Sequence, residues 1–218
     1  MYKLNIIILI SIFILIYCYA PIIQIHLIYL QFPLYTKHKV IKNLLIPQET
    51  KIILNEAINY AKEHKWQLKR HDEYPTTDNE ITQNWESYMI LKKKCDNIIF
   101  KKIEQLYYLF SNKLMIDEFF VCKYTGNDAN KQSKLEFHVD NYEFSFVIAL
   151  NENFTGGGTI FKSTNEIIKL HTGDCLIFCG QTKHGGNKVT IGTRYIVSGF
   201  LKYGDLIMMN IIIIMISL

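Results

Sequence analysis

A chain of 218 residues, 49% apolar and 20% charged, is long enough for one domain with a sizeable core and too hydrophobic to be disordered. Its net charge of +4 is scattered along the sequence, so nothing points to nucleic acid as a partner. Five cysteines without a C-x-x-C pair argue against a disulfide framework and a zinc ribbon.

Residues 4–36, LNIIILISIFILIYCYAPIIQIHLIYLQFPLYT, contain no Lys, Arg, Asp or Glu and are long enough to cross a bilayer. Residues 1–36 are read as a signal anchor with a transmembrane helix. A cleaved signal peptide is the alternative, for which Cys18-Tyr19-Ala20 before Pro21 offers only a partial processing site. Lysines flank both ends too evenly to orient the segment. Residues 37–115 read as a helical N-terminal part of the working unit. Apolar positions recur at helical spacing over residues 48–64, and a second helical region runs from about Asn84 to Leu114. Between them HDEYPTTDNEIT reads as an irregular connector.

From Ile116 the pattern changes to short runs rich in Phe, Val, Ile and Tyr: IDEFFVCKY, LEFHV, YEFSFVIAL, GTIF, GDCLIF and TRYIVSGFL, separated by Gly, Asn and Thr clusters. These are strand signals for an all-β sandwich or barrel over residues 116–203. In GDCLIFCG, Cys175 and Cys179 would lie about 13 Å apart on a strand, too far for a disulfide, and are expected as buried thiols. Gly156, Gly157 and Gly158 mark a turn needing positive φ and close strand approach. Residues 204–218 form an apolar tail, too short to span a membrane as a helix.

Seven histidines and 20 acidic residues give about 0.6 chance His-x-(Asp/Glu) pairs in a chain of this length, and two occur. His71 with Glu73 lies in the polar connector and reads as a solvated loop. His138 and Asp140 lie in the strand-like stretch FHVD, where residues two apart project to one side, leaving Phe137 and Val139 to pack on the other. Such a pair is costly in a core unless something binds it. His184, in QTKHGGN just after GDCLIFCG, supplies a third ligand, and two histidines with one carboxylate are the facial triad of non-haem Fe(II) oxygenases. Ten residues further on, Arg194 interrupts the apolar strand GTRYIVSGF, where a buried guanidinium wants a bidentate anion.

The ordered series HVD, FVIALN, FTGGGTIF, GDCLIF, His184 and GTRYIVSGF resembles the 2-oxoglutarate and Fe(II)-dependent dioxygenases, in particular the branch holding prolyl 4-hydroxylases and procollagen lysyl hydroxylases. The likeness covers residues 116–203, and RHDEYPTTD also looks like a segment upstream in some of these enzymes. It implies a double-stranded β-helix (jelly-roll) core in an α+β, mainly β chain. It implies Fe(II) on His138, Asp140 and His184, the distal carboxylate of 2-oxoglutarate on Arg194, and Tyr124 facing that cosubstrate; an ordinary core aromatic is the alternative for Tyr124. Thr193 and Ser198 are candidates for the same carboxylate, or plain strand residues. Ala149 departs from the pattern, standing where some relatives place a tyrosine.

The implied reaction hydroxylates a substrate with O2 while 2-oxoglutarate becomes succinate and CO2, with ascorbate keeping iron reduced. A peptidyl prolyl or lysyl residue is the expected substrate, and anchored relatives suggest a site in the endoplasmic reticulum lumen. Residues 125–134, TGNDANKQSK, are expected as either a substrate lid or a plain hairpin loop. Two other classes stay open: a silent jelly-roll serving as an anchored binding module, and a cupin-type metal enzyme without oxoglutarate. Arg194 counts against the second, which has no need of a buried cation opposite the metal.

Overall fold

Apolar residues on both sides of most of the central strands bury one sheet on both faces, with helices on one side and a cavity on the other. The structure, a computed structural model, describes residues 37–68, 70, 71, 73–107 and 114–203, with Ser11 besides. The expected anchor over 1–36 and the apolar tail over 204–218 therefore lie outside the described residues, Ser11 apart. Among the described residues no helix is long and apolar enough to cross a membrane.

The strands are β1 (His38–Ile41), β2 (Asp78–Glu80), β3 (Leu114–Thr125), β4 (Leu135–His138), β5 (Phe144–Ala149), β6 (Phe154–Gly156), β7 (Thr159–Phe161), β8 (Ile167–Ile168), β9 (Cys175–Cys179), β10 (His184–Gly186) and β11 (Val189–Tyr203). The larger sheet runs β1-β9-β5-β11-β3-β2, with β6 also paired to β11; the smaller runs β4-β10-β7-β8. Every pairing is antiparallel.

The two faces of the larger sheet follow from the alternation along each strand. On β11, Val197 and Leu201 join Phe119 and Val121 of β3, Phe146 and Ile148 of β5, and Cys175 and Ile177 of β9 in a core shared with the helices. The alternate positions Arg194, Ile196, Ser198 and Phe200 line a cavity on the other face. Cys95, Cys122, Cys175 and Cys179 are buried free thiols, as the spacing within GDCLIFCG suggests.

Helix α1 (Pro47–His64) begins with proline, whose fixed φ suits a first turn, and the Ile46 N–H donates to the Glu49 carboxylate at 2.9 Å. It buries Ile53 and Ala57 on the sheet-side core. Helix α2 (Glu86–Lys94) is capped from outside itself: the Glu86 and Ser87 amides donate to the Glu56 carboxylate of α1 at 3.1 and 3.0 Å. A π-helical turn (Cys95–Ile99) leads into α3 (Phe100–Tyr107).

Three expectations are corrected here. Leu114 is not helical: it opens β3 and pairs with Tyr203, because the ladder to β11 extends further than the helical pattern of the sequence suggests. The N-terminal part over 37–115, read as helical with an irregular connector, also contributes the edge strands β1 and β2. Finally, HDEYPTTDNEIT is not irregular throughout, since Asp78–Glu80 pair with Phe120–Cys122 of β3.

Candidate metal centre and cavity

His138 ends β4, His184 opens β10, and the two are directly opposed in the ladder of the smaller sheet. Asp140 follows β4 by two residues, its amide donating to the Gly180 carbonyl at 2.8 Å and its carbonyl accepting from the Gln181 side chain at 3.0 Å. The structure brings the three together: their ligand atoms all lie within 4.8 Å of one another, with His138 Nε2 3.3 Å and His184 Nε2 3.6 Å from the Asp140 carboxylate. All three are buried.

Their orientation is set by neighbours. His138 Nδ1 lies 2.8 Å from the Glu136 carbonyl and His184 Nδ1 2.8 Å from the Thr182 carbonyl. A carbonyl only accepts, so each Nδ1 carries a proton and Nε2 is the ring atom turned toward Asp140. The Ser145 hydroxyl donates to Asp140 Oδ2 at 2.5 Å. Tyr74 and the edge of Phe178 pack on the rings of His138 and His184 at 5.0 and 4.5 Å.

The charges are arranged for a cation. Burial alone would raise the Asp140 carboxyl, but the two imidazoles and Ser145 outweigh it and hold it below the usual 3.8. Burial pushes His184 down, with His138 adding to the effect against the pull of Asp140. His138 is raised despite its burial, by Asp140 and the Glu136 carbonyl. Two neutral-capable imidazoles and one ionised carboxylate on one side of a cavity form the donor set that Fe(II) takes in facial-triad sites, so these residues fit the metal.

Arg194 faces the same cavity from β11 and is 4% exposed. Its Nη1 donates to the Gly158 carbonyl at 3.2 Å, and its guanidinium carbon lies 5.8 Å from the centre of the Tyr124 ring, directly across the ladder. Among the described residues no carboxylate comes within ion-pairing distance of it. Burial pulls its pKa down, which an arriving anion would reverse. Gly156, Gly157 and Gly158 take φ of 82°, 63° and 108°, and a Cβ at Gly157 would stand 3.2 Å from Arg194 Cδ and 2.8 Å from the Phe154 ring. The glycine turn thus makes room for the guanidinium and gives it a carbonyl. A buried cation lacking a counterion fits the distal carboxylate of 2-oxoglutarate.

The cavity holds about 450 Å³, with His138, Asp140, His184, Arg194 and Tyr124 all on its wall. Ser198 also lines it, its hydroxyl 3.8 Å from Cys122 Sγ, whereas Thr193 turns to Thr125 instead. Ala149 is buried outside this wall. Val139 is not packed away: the chain leaves β4 at His138, and Val139 lies 37% exposed at the cavity mouth. Residues 125–134 do not line the cavity, and they join strands of different sheets, so they are not a hairpin loop.

Of the pair His71 and Glu73, Glu73 is exposed as a solvated loop would have it, whereas His71 is half-buried. His71 packs 4.8 Å from the Phe120 ring, and both residues line the mouth without meeting each other. Beside them, Arg70 donates from Nε to Asp78 at 2.5 Å and from Nη1 to Glu118 at 2.6 Å, with its guanidinium 4.6 Å over Phe120. Arg70, Tyr74, Asp78 and Glu118 were not singled out from the sequence; the likeness of RHDEYPTTD to an upstream family segment was the available signal for the first three, and Glu118 had none.

No protein-family model matches the chain, and no curated protein sequence does. Solved structures do. The viral collagen prolyl hydroxylase of Paramecium Bursaria Chlorella virus-1, in complex with 2-oxoglutarate, is 16% identical over 77% of this chain and 96% of its own, with a TM-score of 0.58. A Pseudomonas putida prolyl-4-hydroxylase is 12% identical over 77% of this chain and 93% of its own, with a TM-score of 0.59. The non-haem α-ketoglutarate-dependent epimerase of nogalamycin biosynthesis is 13% identical over 77% and 79%, with a TM-score of 0.57. The chain has the fold of the prolyl 4-hydroxylases and other 2-oxoglutarate Fe(II) oxygenases.

Proposed function

We propose that this protein is an Fe(II)- and 2-oxoglutarate-dependent dioxygenase that hydroxylates a peptidyl prolyl or lysyl residue. One observation carries the reading: a buried two-histidine, one-carboxylate cluster and a buried arginine without a carboxylate partner share a single cavity. Since the same fold serves an epimerase, the fold alone does not choose the reaction. Hydroxylation is favoured because two of the structures above are prolyl hydroxylases, and Tyr74 and Val139 offer a partly exposed apolar mouth to a peptide.

His138, Asp140 and His184 would hold Fe(II), and Arg194 with Tyr124 beside it would hold the far carboxylate of 2-oxoglutarate. When bound, the pair supplies oxidative decarboxylation to succinate and CO2, which couples O2 to hydroxylation of a C–H bond. The protein's share is orientation. The Glu136 and Thr182 carbonyls keep a proton on each Nδ1, so Nε2 is the atom that each ring would offer a metal. Ser145 holds Oδ2 of Asp140, so Oδ1 is the oxygen that would be offered to a metal. Phe120, Phe178 and Ile196 keep the cavity wall apolar, which limits water around the reacting centre. Ascorbate as the reductant belongs to the same proposal, as does anchoring through residues 1–36 with the site in the endoplasmic reticulum lumen.

The test supplies the full chain with Fe(II) and 2-oxoglutarate and measures succinate with and without proline- or lysine-containing peptides. Peptide-stimulated succinate formation, lost in His184→Ala, is the expected result. Absence of turnover in the wild type, or unchanged turnover in the variant, returns the chain to a silent anchored binding module.

A further inference from the structure

Residues 126–134 do not line the cavity, yet they hold a segment that does. The loop is fixed to β11 at both ends: the Gly126 amide donates to the Gly192 carbonyl and the Val189 amide to the Ser133 carbonyl, each at 2.8 Å. At Gly126 the approach is close enough that a Cβ would stand 2.5 Å from the Thr190 carbonyl carbon. From this base the Gln132 carboxamide reaches the connector. Its Oε1 accepts the Thr77 N–H at 2.6 Å and its Nε2 donates to the Pro75 carbonyl at 2.9 Å.

Those two contacts bracket the part of the connector that enters the cavity wall. Tyr74, immediately before, lies 5.0 Å from His138; Thr76 donates to Asp78, which holds Arg70. Thr77 has one more anchor, its carbonyl accepting the Lys123 N–H at 2.8 Å. Among the described residues no other hydrogen bond reaches the backbone of residues 74–76. Without Gln132, that backbone would have no fixed partner between Tyr74 and Thr76.

We propose that Gln132 is a positioning residue that clamps segment 74–77 as the cavity's outer wall and links it to β11, the strand bearing Arg194. It touches neither metal nor cosubstrate and acts through Tyr74. The inference rests on the dioxygenase reading only in what the wall is for; the clamp itself can be tested without turnover.

The experiment compares the full-length wild type with Gln132→Ala and Gln132→Glu. The first readout is hydrogen exchange at the Thr77 amide, expected to speed up about tenfold or more in Gln132→Ala and to stay slow in Gln132→Glu, which keeps the acceptor. The second uses Tyr74→Trp as a reporter, its fluorescence quenched by Co(II) added as the probe metal; quenching should weaken when Gln132→Ala is combined with it. The third is the KM for poly-L-proline, expected to rise roughly three- to tenfold while the KM for 2-oxoglutarate moves less than about twofold. Unchanged Thr77 exchange, or unchanged quenching despite faster exchange, overturns the proposal, and so does an equal rise in both KM values. If the wild type turns over no peptide, the hydroxylase reading fails, and exchange and quenching still decide the role of Gln132.

Discussion

Two arginines line one cavity and are held in opposite ways. Arg70, at the mouth, is clasped by Asp78 and Glu118 and lies over Phe120. Arg194, at the deep end, has one backbone carbonyl and an aromatic neighbour, and no carboxylate among the described residues. A guanidinium whose charge is already matched acts as structure; one buried with its charge unmatched is shaped for an anion from outside. The same contrast divides the cavity. The polar groups of the mouth bind one another, while those of the deep end converge on a point where a cation would stand.

The largest break in the comparison comes from the converging side. His184→Ala removes one of the three proposed ligand atoms, so Co(II) or Fe(II) affinity should fall by more than about 100-fold, since even changes behind a ligand cost 10- to 100-fold. His184 sits at a strand start and its loss should leave the fold intact. Metal titration followed by absorbance, with a melting curve as control, checks both points.

Exchanging each arginine for methionine should then separate the two by the sign of their effects. Arg70→Met leaves two carboxylates facing each other, one of them on the fully buried Asp78, and should destabilise the protein by about 2–3 kcal/mol, the upper range for such a loss being reserved for pairs more buried than this one. Arg194→Met relieves an unmatched buried charge, so stability without ligands should hold or rise, while the KM for 2-oxoglutarate climbs about 100-fold, equivalent to roughly 3 kcal/mol of charge-assisted hydrogen bonding. Denaturant melts and steady-state kinetics on the two variants measure this. Equal destabilisation by both would abolish the distinction.

Protons sharpen the contrast further. Asp140 and the Glu136 carbonyl hold His138 above its ordinary 6.5 against the cost of burial. A metal must displace that proton, so its apparent affinity should rise with pH until His138's own value is passed and then level off. Co(II) titrations over a pH series test the sign; an affinity independent of pH through neutrality contradicts it.

The deep end was legible in the sequence because its chemistry is written at strand spacing. His138 and Asp140 are two apart, and Arg194 stands alone in an apolar run, so each violates a pattern that the neighbouring residues establish. The mouth violates nothing. Arg70, Asp78 and Glu118 are ordinary polar residues in a polar connector and at a strand start, and their meeting depends on β2 pairing with β3, which a three-residue strand does not announce. For the same reason β1 was hidden beside the apolar N-terminal stretch, and the exposure of Val139 followed from where β4 stops rather than from alternation.

The smallest effect should come from Glu118→Gln, and it asks how the Arg70 clasp is shared. Glu118 is the outer carboxylate, its side chain 17% exposed against 0% for Asp78. Water can replace an outer partner far more readily than an inner one, and a glutamine oxygen can still accept from Nη1, so the variant loses charge and keeps a hydrogen bond. Stability should fall by about 1 kcal/mol or less, with Arg70 still held through Nε to Asp78. The melting midpoint of Glu118→Gln set beside that of Arg70→Met measures the division. A loss as large as that of Arg70→Met would mean that Asp78 alone cannot hold the guanidinium, and the clasp would then depend on its exposed arm, where a substrate entering the mouth could compete for it.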